Sequence, residues 1–325
     1  MLKDKFNRIH DYLRISLTDN CNFRCVYCMP DEKVRLMPKP NLMQSDEIFK
    51  IAATFVNLGV KKIRLTGGEP LLRKDFPAIV SKLSSLPVQL TLTTNGVLID
   101  RYIDDLIHSG FRSINISIDS LQREKFHQIT RRDEFEKVYN NILLSIKKGF
   151  FVKLNVVLMN GINDEEVFDF IELTRHLPVH VRFIEFMPFH NNQWEKEKVV
   201  SNHLIREKIA DKYSLFKLLD GKNDTDKKFG ILGHSGTVCF ISTLTDSFCS
   251  TCNRIRLTAD GKMKNCLFGT EEFDILGTFR KGDDITPLIE KAILRKHQKL
   301  GGQFNDYQNI QPELLENRSM IKIGG

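Results

Sequence analysis

The sequence predicts an α/β fold, a partial (β/α)6 TIM-type barrel followed by a C-terminal β-rich/helical extension. Three observations predict it. Strand-length apolar runs alternate with helical periodicity as far as Phe186, most of those runs are polar on one face, and the regular pattern stops after Met187.

Taken in order, the runs at 12–17, 62–66, 89–93, 113–117, 152–157 and 181–186 read as strands. The segments at 45–58, 76–84, 101–109, 135–147 and 165–176 have the spacing of amphipathic helices. Such alternation implies a parallel sheet with right-handed crossovers. A closed eight-stranded barrel takes ~250 residues, so six strands in this span imply a barrel splayed open on one side.

Strand parity adds a second inference. Arg14 and Ser16, Arg64 and Thr66, Thr91 and Thr93, Asn115 and Ser117, and Lys153 and Asn155 share one face. Leu13, Ile15, Ile63, Leu65, Leu90, Leu92, Ile114, Ile116, Val152 and Leu154 share the other. An antiparallel sheet with one solvated face alternates in this way too, but the intervening helices argue for parallel strands. The apolar face then packs on the helices, and the polar face lines a charged lumen where an active site is expected.

Residues 188–236 are polar and irregular, and 220–228 reads as a turn or mobile loop. A β-rich piece covers 237–267, and the remainder looks helical, then disordered or extended. The expected division is a barrel domain at 1–187 and a C-terminal domain at 188–325. Val238-Cys239-Phe240-Ile241 reads as an apolar strand with a buried, inert thiol, and Trp194 has no assigned role.

Composition excludes several classes. Hydrophobic residues make up 41% and charged residues 27%, as in ordinary globular proteins. No apolar run approaches the ~20 residues of a membrane span, and the charged start does not read as a signal peptide, so a cytoplasmic location is expected. The net charge of +7 is scattered, without the concentrated basic surface that grips nucleic acid. Seven cysteines, an odd number, argue against a disulfide framework.

Six of them form two tight triplets. Cys21, Cys25 and Cys28 fall in the loop after the first strand, where barrel enzymes place their chemistry. Three thiolates leave one iron of a four-iron cluster without a protein ligand. A four-cysteine zinc site from Cys25, Cys28, Cys249 and Cys252 is the alternative, and it leaves Cys21 and Cys266 unused. The Cys-x3-Cys-x2-Cys spacing resembles the radical S-adenosylmethionine superfamily. Thr66-Gly67-Gly68-Glu69-Pro70 reads alone as a strand-to-helix turn. In that superfamily the matching motif holds the amino group of S-adenosylmethionine, which implies a cofactor site of Gly68 and Glu69, completed by Tyr27, Ser117 and Met187.

The second triplet is Cys249, Cys252 and Cys266, with Arg254 and Arg256 on one short strand between Cys252 and Cys266, which read either as a phosphate clamp or as an exposed pair. Together with 17–25, 64–70, 92–96, 115–121, 182–187 and the terminal Gly324-Gly325, these segments make the chain resemble the GTP 3′,8-cyclase family of molybdenum cofactor (molybdopterin) biosynthesis.

That resemblance implies a lyase with two 4Fe-4S clusters, the first binding S-adenosylmethionine and cleaving it to a 5′-deoxyadenosyl radical. The second, carried by the C-terminal extension, holds the guanine of GTP. The radical takes the ribose 3′ hydrogen, and the carbon radical closes onto C8 to give (8S)-3′,8-cyclo-7,8-dihydroguanosine 5′-triphosphate. Arg14, Arg64, Thr93, Lys153, Arg254 and Arg256 are the implied GTP contacts. Arg254, Arg256, Gly324 and Gly325 are the implied catalytic group, the tail reaching the active site. Physics alone gives a frayed end there.

The implied partners are GTP, a reductant such as flavodoxin or ferredoxin, a downstream cyclic pyranopterin monophosphate synthase and a second copy of the chain. Neither a membrane nor a nucleic acid is expected. The alternative is another radical S-adenosylmethionine enzyme whose auxiliary cluster serves a peptide or other substrate.

Overall fold

Helix and parallel strand alternate along most of the chain in the computed structural model, which describes residues 1–29, 31, 33–190, 192–304 and 307–324. The first half runs β1 (Tyr12–Ser16), α1 (Ser45–Asn57), β2 (Lys62–Thr66), α2 (Phe76–Leu83), β3 (Gln89–Thr94), α3 (Ile99–His108), β4 (Ser113–Ser117), α4 (Arg123–Thr130), α5 (Phe135–Lys147), β5 (Phe151–Leu158), α6 (Val167–His176) and β6 (His180–Glu185). It continues through α7 (Asn202–Ala210), β7 (Leu215–Lys217), β8 (Lys227–Ile231), β9 (Thr237–Ile241), β10 (Arg254–Leu257), β11 (Lys262–Lys264) and β12 (Phe273–Asp274). It ends with α8 (Ile275–Arg280), α9 (Thr286–Leu294) and α10 (Met320–Ile323).

The strands form one sheet ordered β12-β11-β10-β1-β2-β3-β4-β5-β6-β9-β8-β7. Strands β1 to β6 are parallel neighbours in chain order, the partial barrel that the sequence predicts. Two strands from the C-terminal segment extend it in parallel, β10 beside β1 and β9 beside β6. Beyond them the pairing turns antiparallel. Since β9 and β10 are not partners, the barrel stays open between them.

Local patterning explains the elements. In α1 the buried residues Ile48, Ile51, Ala52 and Phe55 recur at helical spacing, and the Gln44 N–H donates to Glu47 at 2.7 Å to close the first turn. The strand parity holds: Leu13, Ile15, Ile63, Leu65, Leu92, Ile114 and Leu154 are fully buried in one core with the helices. Thr91 keeps this parity, in register with Arg64, and its buried hydroxyl donates to the Ile63 carbonyl at 3.3 Å.

Three segments differ from expectation. Helix α4 was not foreseen, because its apolar stripe is only Phe126 and Ile129 on an otherwise polar octapeptide. The irregular stretch 188–236 contains α7 and the β7–β8 hairpin, whose connecting loop is tied by ion pairs from Lys217 to Asp220 and Lys228 to Asp224. The tail at 307–324 is folded, with Ile321 and Ile323 buried.

Candidate functional site

All six triplet cysteines line one cavity of about 420 Å³, reached from opposite ends of the barrel. The first loop leaves the C-terminal end of β1 and is held against α4: Arg24 N–H donates to Thr130 O at 3.0 Å and Val26 N–H to Ile129 O at 3.0 Å. Phe23 packs edge-on against Phe126. Within the loop, Cys28 and Met29 N–H both donate to the Cys25 carbonyl, a tight turn that brings the thiols together. Burial, reinforced by Glu69, pushes the Cys21 thiol up to about 12, and burial with the neighbouring Cys21 does the same for Cys28. Three half-buried cysteines whose thiols resist ionising alone fit a metal centre, whose positive charge stabilises the thiolates.

The Gly67-Gly68 turn lies directly under this loop. Gly68 N–H donates to Thr18 O at 2.6 Å and Glu69 N–H to Asn20 O at 2.7 Å, and a Cβ on Gly68 would sit 2.3 Å from the Asn20 carbonyl oxygen. The glycine is therefore needed for the approach of β2 to the cysteine loop. Glu69 is fully buried, accepting from Leu71 N–H (3.0 Å), Thr94 Oγ1 (2.8 Å) and Asn95 N–H (2.7 Å). Burial raises it to about 7. It supports the cavity from behind, whereas Gly68, Tyr27, Ser117 and Met187 line it. Sequence reasoning missed Asp119, which lines the cavity, accepts from Tyr27 Oη at 2.7 Å and is raised by burial to about 6.

The second triplet has a cationic setting. Cys252 is opposed by burial, yet Lys296 and Arg254 bring it down to about 6. Lys296 Nζ lies 3.6 Å from Cys252 Sγ and 2.9 Å from the Arg254 carbonyl, and Leu300 N–H points at Cys249 Sγ at 3.5 Å. Arg8 staples the loop by donating to the carbonyls of Cys249, His297 and Gln298, itself held by Asp4 at 2.6 Å. Glu185 at the end of β6 accepts from Thr243 and Leu244 N–H, aiming the chain toward Cys249. Trp194 donates to the Phe186 carbonyl at 2.9 Å, fixing the backbone beside Met187.

Between the triplets runs a tier of cations. The register sets Arg14 beside Arg256 on one side and Arg64 on the other, and Asn115 beside Lys153. Arg14, Arg64, Thr93, Lys153, Arg254 and Arg256 all line the cavity, as do Tyr12, Lys62 and Arg182. The last three were missed, although Arg182 lies on the polar face of its strand by the same parity. Burial and the facing Arg182 pull Lys153 down to about 8, and burial and Arg254 pull Arg256 to about 10. Like charges held this close in low dielectric call for an anion.

The tail closes the wall. The Gly324 carbonyl accepts from Arg256 Nη1 at 2.9 Å, and a Cβ on Gly324 (φ +84°) would press on Ser16 and Thr66 at 2.6–3.0 Å. Met320 and Ile321 line the cavity, and Gly325 lies outside the described residues. No helix among the described residues is long and apolar enough to cross a membrane.

Residues 15–174 match the Radical SAM superfamily, and residues 179–301 match Molybdenum Cofactor Synthesis C. A protein named GTP 3′,8-cyclase, mitochondrial, from Arabidopsis thaliana is 45% identical over 100% of this chain and 84% of its own length. The GTP 3′,8-cyclase of Thermodesulfovibrio yellowstonii is 40% identical over 100% of both chains. Molybdenum cofactor biosynthesis protein 1 of Drosophila melanogaster is 45% identical over 92% of this chain and 54% of its own length, so the chain spans about half of that relative. In fold, the crystal structure of Streptococcus suis SuiB superposes with a TM-score of 0.61 at 13% identity, over 81% of this chain and 62% of that one.

Proposed function

This chain belongs to the radical SAM superfamily and, within it, to the GTP 3′,8-cyclase family, and from that premise we propose that it converts GTP to (8S)-3′,8-cyclo-7,8-dihydroguanosine 5′-triphosphate, the first step of molybdenum cofactor biosynthesis. One observation carries the reading: two cysteine triplets from opposite ends of the barrel meet a tier of cations in one cavity. Cys21, Cys25 and Cys28 would hold one four-iron cluster and Cys249, Cys252 and Cys266 another, each with an iron left open. When bound, the clusters and S-adenosylmethionine would supply the one-electron chemistry.

The chain's own residues bind, orient and exclude water. Tyr27, Ser117 and Met187 form the wall beside the first loop, where S-adenosylmethionine would lie, while Gly68 and Glu69 fix that wall in place. The triphosphate of GTP would be gripped by Arg64, Thr93, Lys153 and the adjoining Lys62 and Arg182, with Arg14, Arg254 and Arg256 closer to the second loop. A bound polyanion raises Lys153 again and relieves the repulsion among the guanidiniums. Gly324 holds Arg256 by its carbonyl and, with Ile321, screens the reacting region from solvent. Positioning of this kind supplies much of the rate that a protein adds to cofactor chemistry.

The setting is a cytoplasmic one, with a reductant of the flavodoxin or ferredoxin type, a second copy of the chain as partner, and a downstream cyclic pyranopterin monophosphate synthase. The test is anaerobic incubation of protein holding about eight irons per chain, as two four-iron clusters require, with S-adenosylmethionine, dithionite and GTP. Mass spectrometry should find 5′-deoxyadenosine and a cyclised isomer of GTP. Deoxyadenosine with unchanged GTP would move the substrate to a peptide or other molecule, and neither product would overturn the reading.

A further inference from the structure

At the N-terminal end of the lumen, apart from both triplets, three metal-ligating atoms of different chemistry converge among fully folded strands. His180 opens β6, Cys239 lies on the neighbouring β9, and Asp226 comes from the loop entering β8. Cys239 Sγ is 3.1 Å from His180 Nε2, His180 Nε2 is 3.4 Å from Asp226 Oδ2, and Cys239 Sγ is 3.7 Å from the same Oδ2. All three residues are buried. The thiol expected to be inert in an apolar strand is buried, yet its sulfur faces an imidazole and a carboxylate.

We propose that His180, Asp226 and Cys239 form a binding site for one zinc-class divalent cation, held by three protein ligands with a fourth position open to the lumen. Zinc bonds of about 2.0–2.3 Å at tetrahedral angles place ligand atoms roughly 3.3–3.8 Å apart, the spacing found here within a few tenths of an ångström. The mixed nitrogen, oxygen and sulfur set favours zinc over harder cations.

Two further observations support a ligand role. The Thr237 hydroxyl contacts His180 Nδ1, so the ring is oriented from its far side and Nε2 is presented to the other two ligands, the outer-shell arrangement of metal-bound histidines. Asp226 lines the cavity, which gives the fourth position access to water or a substrate oxygen.

The neighbouring charges do not oppose this. Arg182 Nε lies 3.4 Å from the same Asp226 oxygen, and Lys153 is close enough to lower the carboxyl further. A dication bound by one thiolate, one carboxylate and a neutral imidazole carries no net charge, because the thiol proton leaves as the metal enters. Arg182 and Lys153 then face a neutral complex. An ion pair of Asp226 with Arg182 alone would give no reason for a thiol and an imidazole at the same point.

The test uses full-length protein with both clusters reconstituted, equilibrated with zinc sulfate under nitrogen and passed through a weak chelator. Zinc and iron are counted together by mass spectrometry. The wild type should retain about one zinc per chain. Cys239→Ala, Asp226→Asn and His180→Gln should each weaken zinc binding at least about 10-fold with the iron count unchanged. Zinc-edge X-ray absorption on the wild type gives a readout that needs no variant: one sulfur at about 2.3 Å with nitrogen and oxygen at about 2.0 Å is expected. A wild type that holds no zinc, variants that hold as much as it does, or a shell of three or four sulfurs would overturn the site.

Discussion

The two cysteine loops differ most at one thiol: Cys249 is raised by burial as the thiols of the first loop are, whereas Cys252 is lowered. Around Cys21, Cys25 and Cys28, burial comes first and the carboxylates of Glu69 and Asp119 add to it, pushing the thiols up against a smaller opposing effect of Arg24 on Cys21. Around Cys252, Lys296 and Arg254 overcome burial and leave the thiol at about 6. A buried anionic cluster next to carboxylates is harder to reduce than one flanked by cations, since local charge and hydrogen bonds set cluster potential. With the two clusters proposed above bound, the one on the first loop would be the harder to reduce. Equal cysteine counts do not make equal sites.

The largest effects should come from removing a thiol, and they should differ between loops. Cys28→Ala should abolish both deoxyadenosine formation and cyclisation, whereas Cys266→Ala should lose cyclisation and keep deoxyadenosine formation, each with about half the iron. Cyclase turnover in the Cys266 variant would erase the functional distinction. Deleting Gly324 and Gly325 should leave iron intact and reduce turnover at least about 100-fold, in the range expected of lost transition-state positioning. Normal turnover would make the tail a passive filler.

Gly68→Ala tests the mechanical side of the first loop. The added Cβ meets backbone 2.3 Å away, so the β2 turn must shift, destabilising the fold by about 1–3 kcal/mol. Iron analysis should show the loss at Cys21, Cys25 and Cys28 alone. Asp119 tests the electrical side. Its carboxyl stands near 6 in the fold against about 3.9 unfolded, so the native state binds the proton more tightly in that window. Stability from this group is therefore present at low pH and lost as pH rises through 4 to 6, by about 3 kcal/mol in all. In the cluster-free protein, the melting temperature of wild type relative to Asp119→Asn should fall across that range, and parallel curves would remove the carboxylate from the comparison. The smallest effect belongs to Lys296→Met. In cluster-free protein it should slow alkylation of Cys252 at pH 7 by several-fold, read by peptide mass spectrometry.

Much of this was legible in the residues, and the illegible parts share a cause. Period-two alternation located the lumen face from Arg14 to Lys153, because one wall of each strand meets helices and the other meets charge. The same rule reaches Arg182, the third residue of β6, where it was not applied. The cysteine spacing marked both loops without reference to the fold. By contrast, β10 beside β1 and β9 beside β6 are pairings between distant segments, and no local pattern in a four- or five-residue strand names its neighbour. Lys296 and Asp226 reach their thiols only through such pairings. Glu69 is read from its motif as a contact for an amino group, whereas its carboxylate accepts from Thr94 at the end of β3 and from Asn95 just beyond it.

The pairing of β1 with β10 also orders events during synthesis. About 240 residues separate the two strands, so at roughly 5–20 residues per second β1 waits on the order of 10–50 s on the ribosome for its second partner. Through that interval one side of β1 exposes unpaired N–H and C=O groups beside Leu13 and Ile15, a template for pairing with another nascent chain. Arg14 sits in the middle of that strand. A charge in mid-strand is the kind of residue that discourages pairing at an open edge.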